Sequence, residues 1–469
     1  MINIKNIFKK IDMRMFMALL FFGALPTVYT TIRIYWIGQI PDTWSFSIAS
    51  QMQWVGLLYE VLQESFILPL FFFVGGVIAN KKELENRLRT GIIFAFSIYL
   101  ILTIVIISAA KSLTILMSNS PSIIDKAVYY IRLESISSII NIMFKFILVA
   151  LITIKKDKNI YIPLILQLIL TIILDIFFVS NLSVSLKLGV NGIAISNIIV
   201  SSAMLIISLV LLEIEKINIW TLEKMDFRWF KRFLPISAIS GLETLIRNLF
   251  FMFMIVKMIN MVGEQGTFWV TNNFIWGWLL LPVLQLAEVV KAEVGIGKNK
   301  TIKENTLGYF AIVTIIVMIW LITIPLWKPF LKNVMGLDTY NVVYKLALIS
   351  LFFYITFAFN AIIDGIFYGL GRTDYMLYQS IAVNCSFFVI MFILYKTGVW
   401  TPTLYSITLM FAGGISIDSI LTYIIFAVTL KKNKINIFKI LKKDYKSEDE
   451  NDKTVINKDD TQVISRYSQ

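Results

Sequence analysis

Apolar windows of roughly 20 residues recur along almost the whole of this chain, and each is continuous rather than alternating apolar with polar positions. A run of that length is what one helix needs to cross the hydrocarbon of a bilayer, where each backbone N–H and C=O must be satisfied within its own segment. Strands are excluded because a barrel would show the two-residue alternation. With 58% of its residues hydrophobic over 469 positions, the chain carries more apolar surface than a soluble fold of this size can hide. The expected class is all-α, a polytopic membrane protein.

Twelve spans are predicted, at about 15–40, 52–80, 90–110, 127–154, 160–180, 188–212, 233–255, 268–297, 306–330, 342–370, 375–395 and 401–430. The first is too long for a signal-peptide core and no small-residue cleavage pattern follows it, so it reads as a span. Basic residues gather in alternate loops, among them Lys81, Lys82, Arg87, Arg89, Lys155, Lys156, Lys158, Arg228, Lys231, Arg232, Lys298, Lys300 and Arg372. The opposite loops carry few: Lys111, Lys126, Lys187, Lys328, Lys332 and Lys396. The positive-inside rule then places both termini in the cytoplasm, consistent with an even number of spans, with the plasma membrane as the expected location. The formal charge of +13 is therefore a topological signal and does not point to nucleic acid. Residues 2–14 have one apolar face opposite lysines and suit an interfacial helix or a plain basic flank. The tail after 430 opens basic, suited to anionic lipid, and is expected to be disordered from 444.

The long polar and aromatic segment 213–232 divides the spans into two blocks of six. Each block opens with a basic flank and a span containing Leu-Pro, at Leu25-Pro26 and Leu234-Pro235, and each second span holds a proline, Pro69 or Pro282. Two like-oriented blocks predict pseudo-symmetric six-helix lobes, 1–212 and 213–430, around a central cavity, with a cytoplasmic tail at 431–469.

Charged residues inside the spans are expensive and are expected to face the cavity or a partner helix. The interior acids are Glu60, Glu64, Asp175, Glu243, Glu288, Glu293, Asp364 and Asp418, and the candidate counter-ions are Arg33, Arg132, Lys145, Arg247 and Lys291. Glu243 and Arg247, spaced i,i+4, share a helix face and are expected to pair. Glu60 and Glu64 have the same spacing and cannot comfortably both be charged without a cation between them, with Arg33 or Lys145 the expected partner. In the second lobe Arg247 or Lys291 takes that part. The aromatics Trp269, Phe274, Trp276, Trp278 and Tyr354 suit either cation–π contacts in the cavity or an interfacial belt.

The order of these features resembles the multidrug and toxic compound extrusion (MATE) family, within a superfamily that includes lipid-linked oligosaccharide flippases. The resemblance covers about residues 12–430. It rests on the Leu-Pro starts, Gly38 closing span 1, the stretch 75–89 closing span 2, Leu-Gly-Val-Asn-Gly-Ile-Ala at 188–194, the spacing of Pro235 to Glu243, and Gly-Leu-Gly-Arg-Thr at 369–373. It implies twelve helices in two lobes and export of organic cations or similar compounds, with Na+ or H+ as coupling ion. It also implies ion-linked acids at Asp175 and Glu243. Two positions depart from the pattern: Arg33 stands where a span 1 aspartate is common, and Phe357 where some members have a span 10 aspartate, with Asn360 in place of a nearby glutamine.

The expected function is a secondary active exporter of an organic, polar or charged small molecule, working by alternating access. Its coupling or substrate candidates are Asp175, Glu243, Arg33, Glu60, Glu64, Arg247, Glu288, Lys291 and Asn360. The alternatives are a flippase for a lipid-linked precursor, which calls for a basic cavity, and a transport-inactive membrane partner of the same fold. No enzyme is indicated. There are no histidines, and the single cysteine, Cys385, permits neither an intramolecular disulfide nor a Cys-based metal site. Gly369-Leu-Gly371 follows a helix and not a strand, so it is no nucleotide motif. The expected partners are the bilayer and the solute, the chain acting as a monomer without a tightly held cofactor.

Overall fold

The computed structural model describes residues 11–67, 69, 73–74, 77–78, 80–153, 161–220 and 224–438, without the side chains of residues 152, 153, 161, 236, 239, 240 and 243. The regular elements among the described residues are all helical. In chain order they are α1 (Met13–Gly38), the short α2 (Ser45–Ala49), α3 (Met52–Leu62), α4 (Lys81–Leu116), α5 (Ile124–Thr153), α6 (Tyr161–Phe178) and α7 (Val190–Ile214). The second half comprises α8 (Phe230–Phe251), α9 (Gln265–Phe274), α10 (Leu281–Pro329), α11 (Tyr340–Leu370), α12 (Thr373–Val383) and α13 (Leu404–Lys432), with Lys257–Met261 and Val389–Lys396 continuing α8 and α12 beyond π-helical turns.

Among the described residues nine helices are long and apolar enough to cross a bilayer by composition and length. Three more crossings give the expected twelve among the described residues. One is α6, at 18 residues. Another is 52–67, where α3 passes into a π-helical turn, Gln63–Ile67. The third comes from α10, whose 49 residues are too many for one passage. That helix breaks at Lys298, at φ 47° and ψ −131°, so 265–297 forms one crossing and the residues after 298 the next. The break is a single residue, where the basic run 298–300 suggested a loop. Similarly, α4 begins at Lys81 and not near 90. Asn80 caps it by accepting from the Glu83 N–H, and the pairs Lys81–Glu85 (3.7 Å) and Glu83–Arg87 (2.8 Å) let the charged stretch continue the helix. Residues 1–10 of the amphipathic segment, the glycines at 75–76, the basic run 155–158 and the tail from 439 lie outside the described residues.

Two six-helix lobes result, and the first helix of each also packs on the other lobe. The core of the first lobe, built on Trp54, Leu88, Tyr99 and Phe146, also takes in Phe233, Met252 and Val256 from α8 and the turn that follows it. The core of the second lobe takes in Phe16 and Ile34 of α1. Reciprocal packing of α1 on α10 and of α8 on α3 is what two equivalent lobes facing each other produce.

An even number of crossings puts the start of α1 and the end of α13 on one side, the terminal side. On the other side the lobes meet in a hydrogen-bonded seam. Gln51 Nε2 donates to Asn260 Oδ1 (3.2 Å), Gln265 Nε2 to Gln53 Oε1 (2.9 Å), and Asn260 Nδ2 to the Met117 carbonyl (3.0 Å). Two glycines permit the approach. A Cβ on Gly38 would lie 2.8 Å from the Gly336 carbonyl oxygen, and one on Gly266 would lie 2.7 Å from Phe46 Cβ and 3.0 Å from the Ser47 nitrogen. Because backbone lies close behind both contacts, Gly266→Ala is expected to destabilise the closed seam by about 1–3 kcal/mol, a clash larger than the gain in helix propensity. Thermal unfolding of the purified protein in detergent checks this: a lower apparent Tm is expected, and an unchanged or higher one contradicts the packing.

Candidate functional site

Between the lobes lies a cavity of about 1230 Å³, reaching from Ile37, Ala49 and Trp269 near the closed seam to Tyr368 and Met376 near the terminal side. Charged residues deep in the bundle are half exposed toward this space. Arg247 and Glu288 both line it and are exposed by 48% and 55% of their side chains. Such exposure at the depth of a lipid core is tolerable only toward water. The cavity is therefore an aqueous vestibule closed at the seam.

Among the described residues its wall carries six acids, Glu60, Glu64, Glu134, Glu288, Asp364 and Asp418, against two arginines, Arg33 and Arg247. Local irregularity helps to aim them. Glu64 lies in the π-helical turn Gln63–Ile67, and Trp276 and Gly277 lie in another, Ile275–Leu279. A third, Asn384–Phe388, presents Asn384 and Phe388 to the same space. The extra residue in each turn rotates the following side chains off the regular helical face. Trp269 and Trp276 line the cavity. Of the other expected aromatics, Trp278 donates to Thr31 Oγ1 (2.9 Å), Phe274 is buried against Trp327, and Tyr354 packs edge-on behind Trp276.

In the first lobe Arg33 makes a bidentate pair with Asp175, Nε to Oδ2 at 2.7 Å and Nη2 to Oδ1 at 3.0 Å. Asp175 is 1% exposed and Arg33 12%, so the arginine faces the cavity and the aspartate stands behind it. Next to them Glu134 accepts from the Tyr130 hydroxyl (3.1 Å) and from Asn197 Nδ2 (2.6 Å). Glu134 was not among the sequence candidates. Its partners come from one turn earlier on α5 and from α7, and only the spacing of Tyr130 to Glu134 hinted at the group.

Pairing differs from the sequence expectation at the lobe boundary. Arg247 Nη2 contacts Glu60 Oε1 at 3.4 Å, across the lobes, and Asn248 Nδ2 reaches Glu60 Oε2 at 3.2 Å. Of the expected first-lobe partners of Glu60, Arg33 is engaged with Asp175, whereas Lys145 donates to Gln63 Oε1 (3.3 Å) and stays near enough to Glu60 for the two charges to attract. The reason is that α8 packs directly against α3 across the lobe interface. Glu243 is on α8, but its side chain lies outside the described residues. Lys291 pairs with Glu288 at 3.4 Å and sits over the Tyr368 ring. Glu293 is not on the cavity wall; it accepts from the Asp12 backbone N–H (2.7 Å), from Asn305 (2.9 Å) and from the Tyr309 hydroxyl, tying the start of α1 to α10. Asn360 is fully buried behind the wall and donates to Asp364 Oδ2 at 3.1 Å.

No protein-family model matches the sequence, and no curated protein matches it. The fold is shared with solved transporters at low identity. One is an inward-facing multidrug resistance MATE family transporter of the MOP superfamily, 18% identical, with TM-score 0.70 over 87% of this chain and 95% of the other. An outward-facing structure of the same description gives 0.60 at 18% identity, covering 90% and 96%. A MOP superfamily transporter from Pyrococcus furiosus, whose reverse-polarity binding pocket is said to suggest a different function, gives 0.67 at 15% identity, covering 90% and 96%.

Removing one member of the buried Arg33–Asp175 pair leaves a charge without its counter-ion. Asp175→Leu is expected to destabilise the protein by about 3–5 kcal/mol, and the double replacement Arg33→Met with Asp175→Leu to recover most of that loss. Thermal unfolding of the three proteins measures it, and equal Tm values for the wild type and Asp175→Leu would show that the pair holds nothing.

Proposed function

We propose that this protein is a secondary active transporter that exports an organic, polar or charged small molecule by alternating access. The observation that carries this reading is the acid-rich aqueous vestibule at the lobe interface, closed on one side by a seam of hydrogen bonds and open to the other. A better match to the inward-facing relative, TM-score 0.70 against 0.60 for the outward-facing one, supports the assignment of the terminal side to the cytoplasm. The positive-inside pattern gives the same orientation, with the plasma membrane as location.

In this account the two lobes, divided in the connector at 213–232, rock about the contacts of α1 with α10 and α8 with α3. The solute enters from the cytoplasm when the seam is closed. Opening the seam and closing the terminal side releases it outside. The seam is suited to that movement, since a few amide–amide hydrogen bonds and glycine contacts are each worth about 1 kcal/mol net and exchange readily for water. The excess of acids over arginines favours a cationic group on the solute, with Trp269 and Trp276 as ring faces for it. It speaks against a phosphate-bearing lipid precursor, for which a basic wall is expected. Carboxylates that bind either a cation or the solute supply the competition that coupling to Na+ or H+ needs. The chain acts as a monomer in this scheme, since the vestibule is complete within it.

Transport in proteoliposomes tests the proposal, with a fluorescent organic cation as probe and sodium or proton gradients imposed separately. One of the two gradients is expected to drive accumulation above that of protein-free liposomes. Glu60→Gln, which removes the charge opposite Arg247 at the lobe interface, is expected to slow it about 10-fold or more, the scale set by a 1.4 kcal/mol change in barrier. Probe movement indifferent to both gradients would exclude secondary active coupling.

A further inference from the structure

On the terminal side, apart from the central vestibule, the connector between the lobes lies over the start of α4 and encloses a small polar cavity of about 280 Å³. Asn86 clasps the connector through two hydrogen bonds with the Asp226 backbone: Nδ2 donates to the carbonyl and the Asp226 N–H donates to Oδ1, both at 2.9 Å. Glu85 accepts from the Asn218 N–H (2.8 Å), and Trp229 Nε1 donates to Thr90 Oγ1 (3.0 Å). Three cations line the cavity, Lys82 and Arg89 from α4 and Lys224 from the connector, along with the acids Glu83, Glu85 and Asp226. Each acid is drawn to a different cation: Glu83 pairs with Arg87 at 2.8 Å, Glu85 with Lys81 at 3.7 Å and Asp226 with Arg228 at 2.6 Å. Among the described residues this group therefore holds six cations against three acids. Arg89 is only 7% exposed, so one of the three lining cations is built into the protein while the two lysines stand at the rim.

The surroundings of the cavity identify its ligand. Lys82, Asn86 and Arg89 follow at spacings of four and three residues, and the same stripe of α4 continues through Ile93, Phe96 and Leu100. Those three apolar side chains are exposed, and α4 contributes nothing to the wall of the central vestibule, so the stripe faces lipid. From Arg89 to Leu100 the helix rises about 16 Å, roughly half the thickness of a bilayer's hydrocarbon. The connector adds exposed Trp220, Met225 and Phe227 on either side of the cavity residues Lys224 and Asp226, as suits a segment at headgroup level. A soluble phosphate compound would use the cations alone, whereas a lipid uses the cations and the apolar stripe leading away from them.

We propose that this cavity binds the headgroup of an anionic phospholipid from the leaflet of the terminal side. The phosphate sits among Lys82, Arg89 and Lys224, and an acyl chain runs along Ile93, Phe96 and Leu100. A phosphate shared between Lys224 on the connector and two cations on α4 ties the connector to the first lobe, adding to the clasp of Asn86. The site requires that the chain lie in a membrane and is independent of what the chain transports.

Native mass spectrometry of the purified full-length protein decides it, with phosphatidylglycerol or phosphatidylcholine of identical acyl chains added in detergent. Phosphatidylglycerol is expected to bind about 10-fold more tightly or better, and the double variant Lys82→Gln with Lys224→Gln to lose about 10-fold of that affinity, the scale of two lysines at an anionic headgroup. Both lysines are exposed, so the double variant is expected to fold. Lys431→Gln with Lys432→Gln, at the exposed end of α13, is the control and is expected to keep wild-type affinity. Equal affinity for the two lipids, or an equal loss in the control, reduces the effect to general charge and overturns the site. Wild-type affinity in the Lys82 and Lys224 double variant overturns it as well. So does displacement of phosphatidylglycerol by an equal concentration of glycerol 1-phosphate, which would make the ligand a soluble phosphate.

Discussion

A charge inside a bilayer has two tolerable surroundings, a counter-charge or water, and this structure uses each where the other is impossible. At Asp175 there is no room for water, and Arg33 closes over both carboxylate oxygens. At Glu60, Glu64, Glu288 and Asp418 the wall opens onto a large cavity, and hydration carries much of the cost. Everything else about the fold serves that division. The two lobes must be separate enough to enclose water, yet tied closely enough on one side to stop it passing through. Glycines at the seam and the amide pairs across it meet the second demand, and the contacts that α1 and α8 exchange across the interface meet the first by bracing each lobe against the other.

That exchange also explains why interior charges are paired as they are. Arg247 and Glu60 are remote in sequence and belong to different lobes, yet they meet because α8 packs on α3. The contact is partly exposed, so its electrostatic worth at rest is modest, on the scale of a surface pair. Its position matters more than its strength: it lies where the lobes move against each other, and an opening of one side need only exchange it for water. The buried Arg33–Asp175 pair is the opposite case, held within a lobe, where loss of a partner is costly and exchange with solvent is blocked.

The class, the number of crossings and the general wealth of acids were legible in the sequence, because hydrophobic run length is a local property and needs no partner to be read. Helix ends were less so: Lys81–Arg89 looked like a loop since charge density was taken to end the helix, whereas the Asn80 cap and two i,i+4 pairs carry it on. The partner of each charge was not legible. Glu134 needed Asn197 on another helix to become a defined group, and of the two cations expected near Glu60, Arg33 is held by Asp175 at closer range while Lys145 stays within reach of its charge. Asp364 and Asn360 are both visible in the sequence, but that one oxygen of each lies buried without a hydrogen-bond partner appears only in the folded protein.

The claim on which this account stands is that water reaches the acid-lined space from one side of the membrane at a time. Cys385 is the only cysteine, so a Cys385→Ser background carrying Asn272→Cys or Ser380→Cys, both on the cavity wall, reports on it directly. A membrane-impermeant thiol reagent added to oriented membranes is expected to modify both positions from the terminal side. Protection of both positions from either side would mean that no aqueous path leads to these carboxylates, and the account would fail.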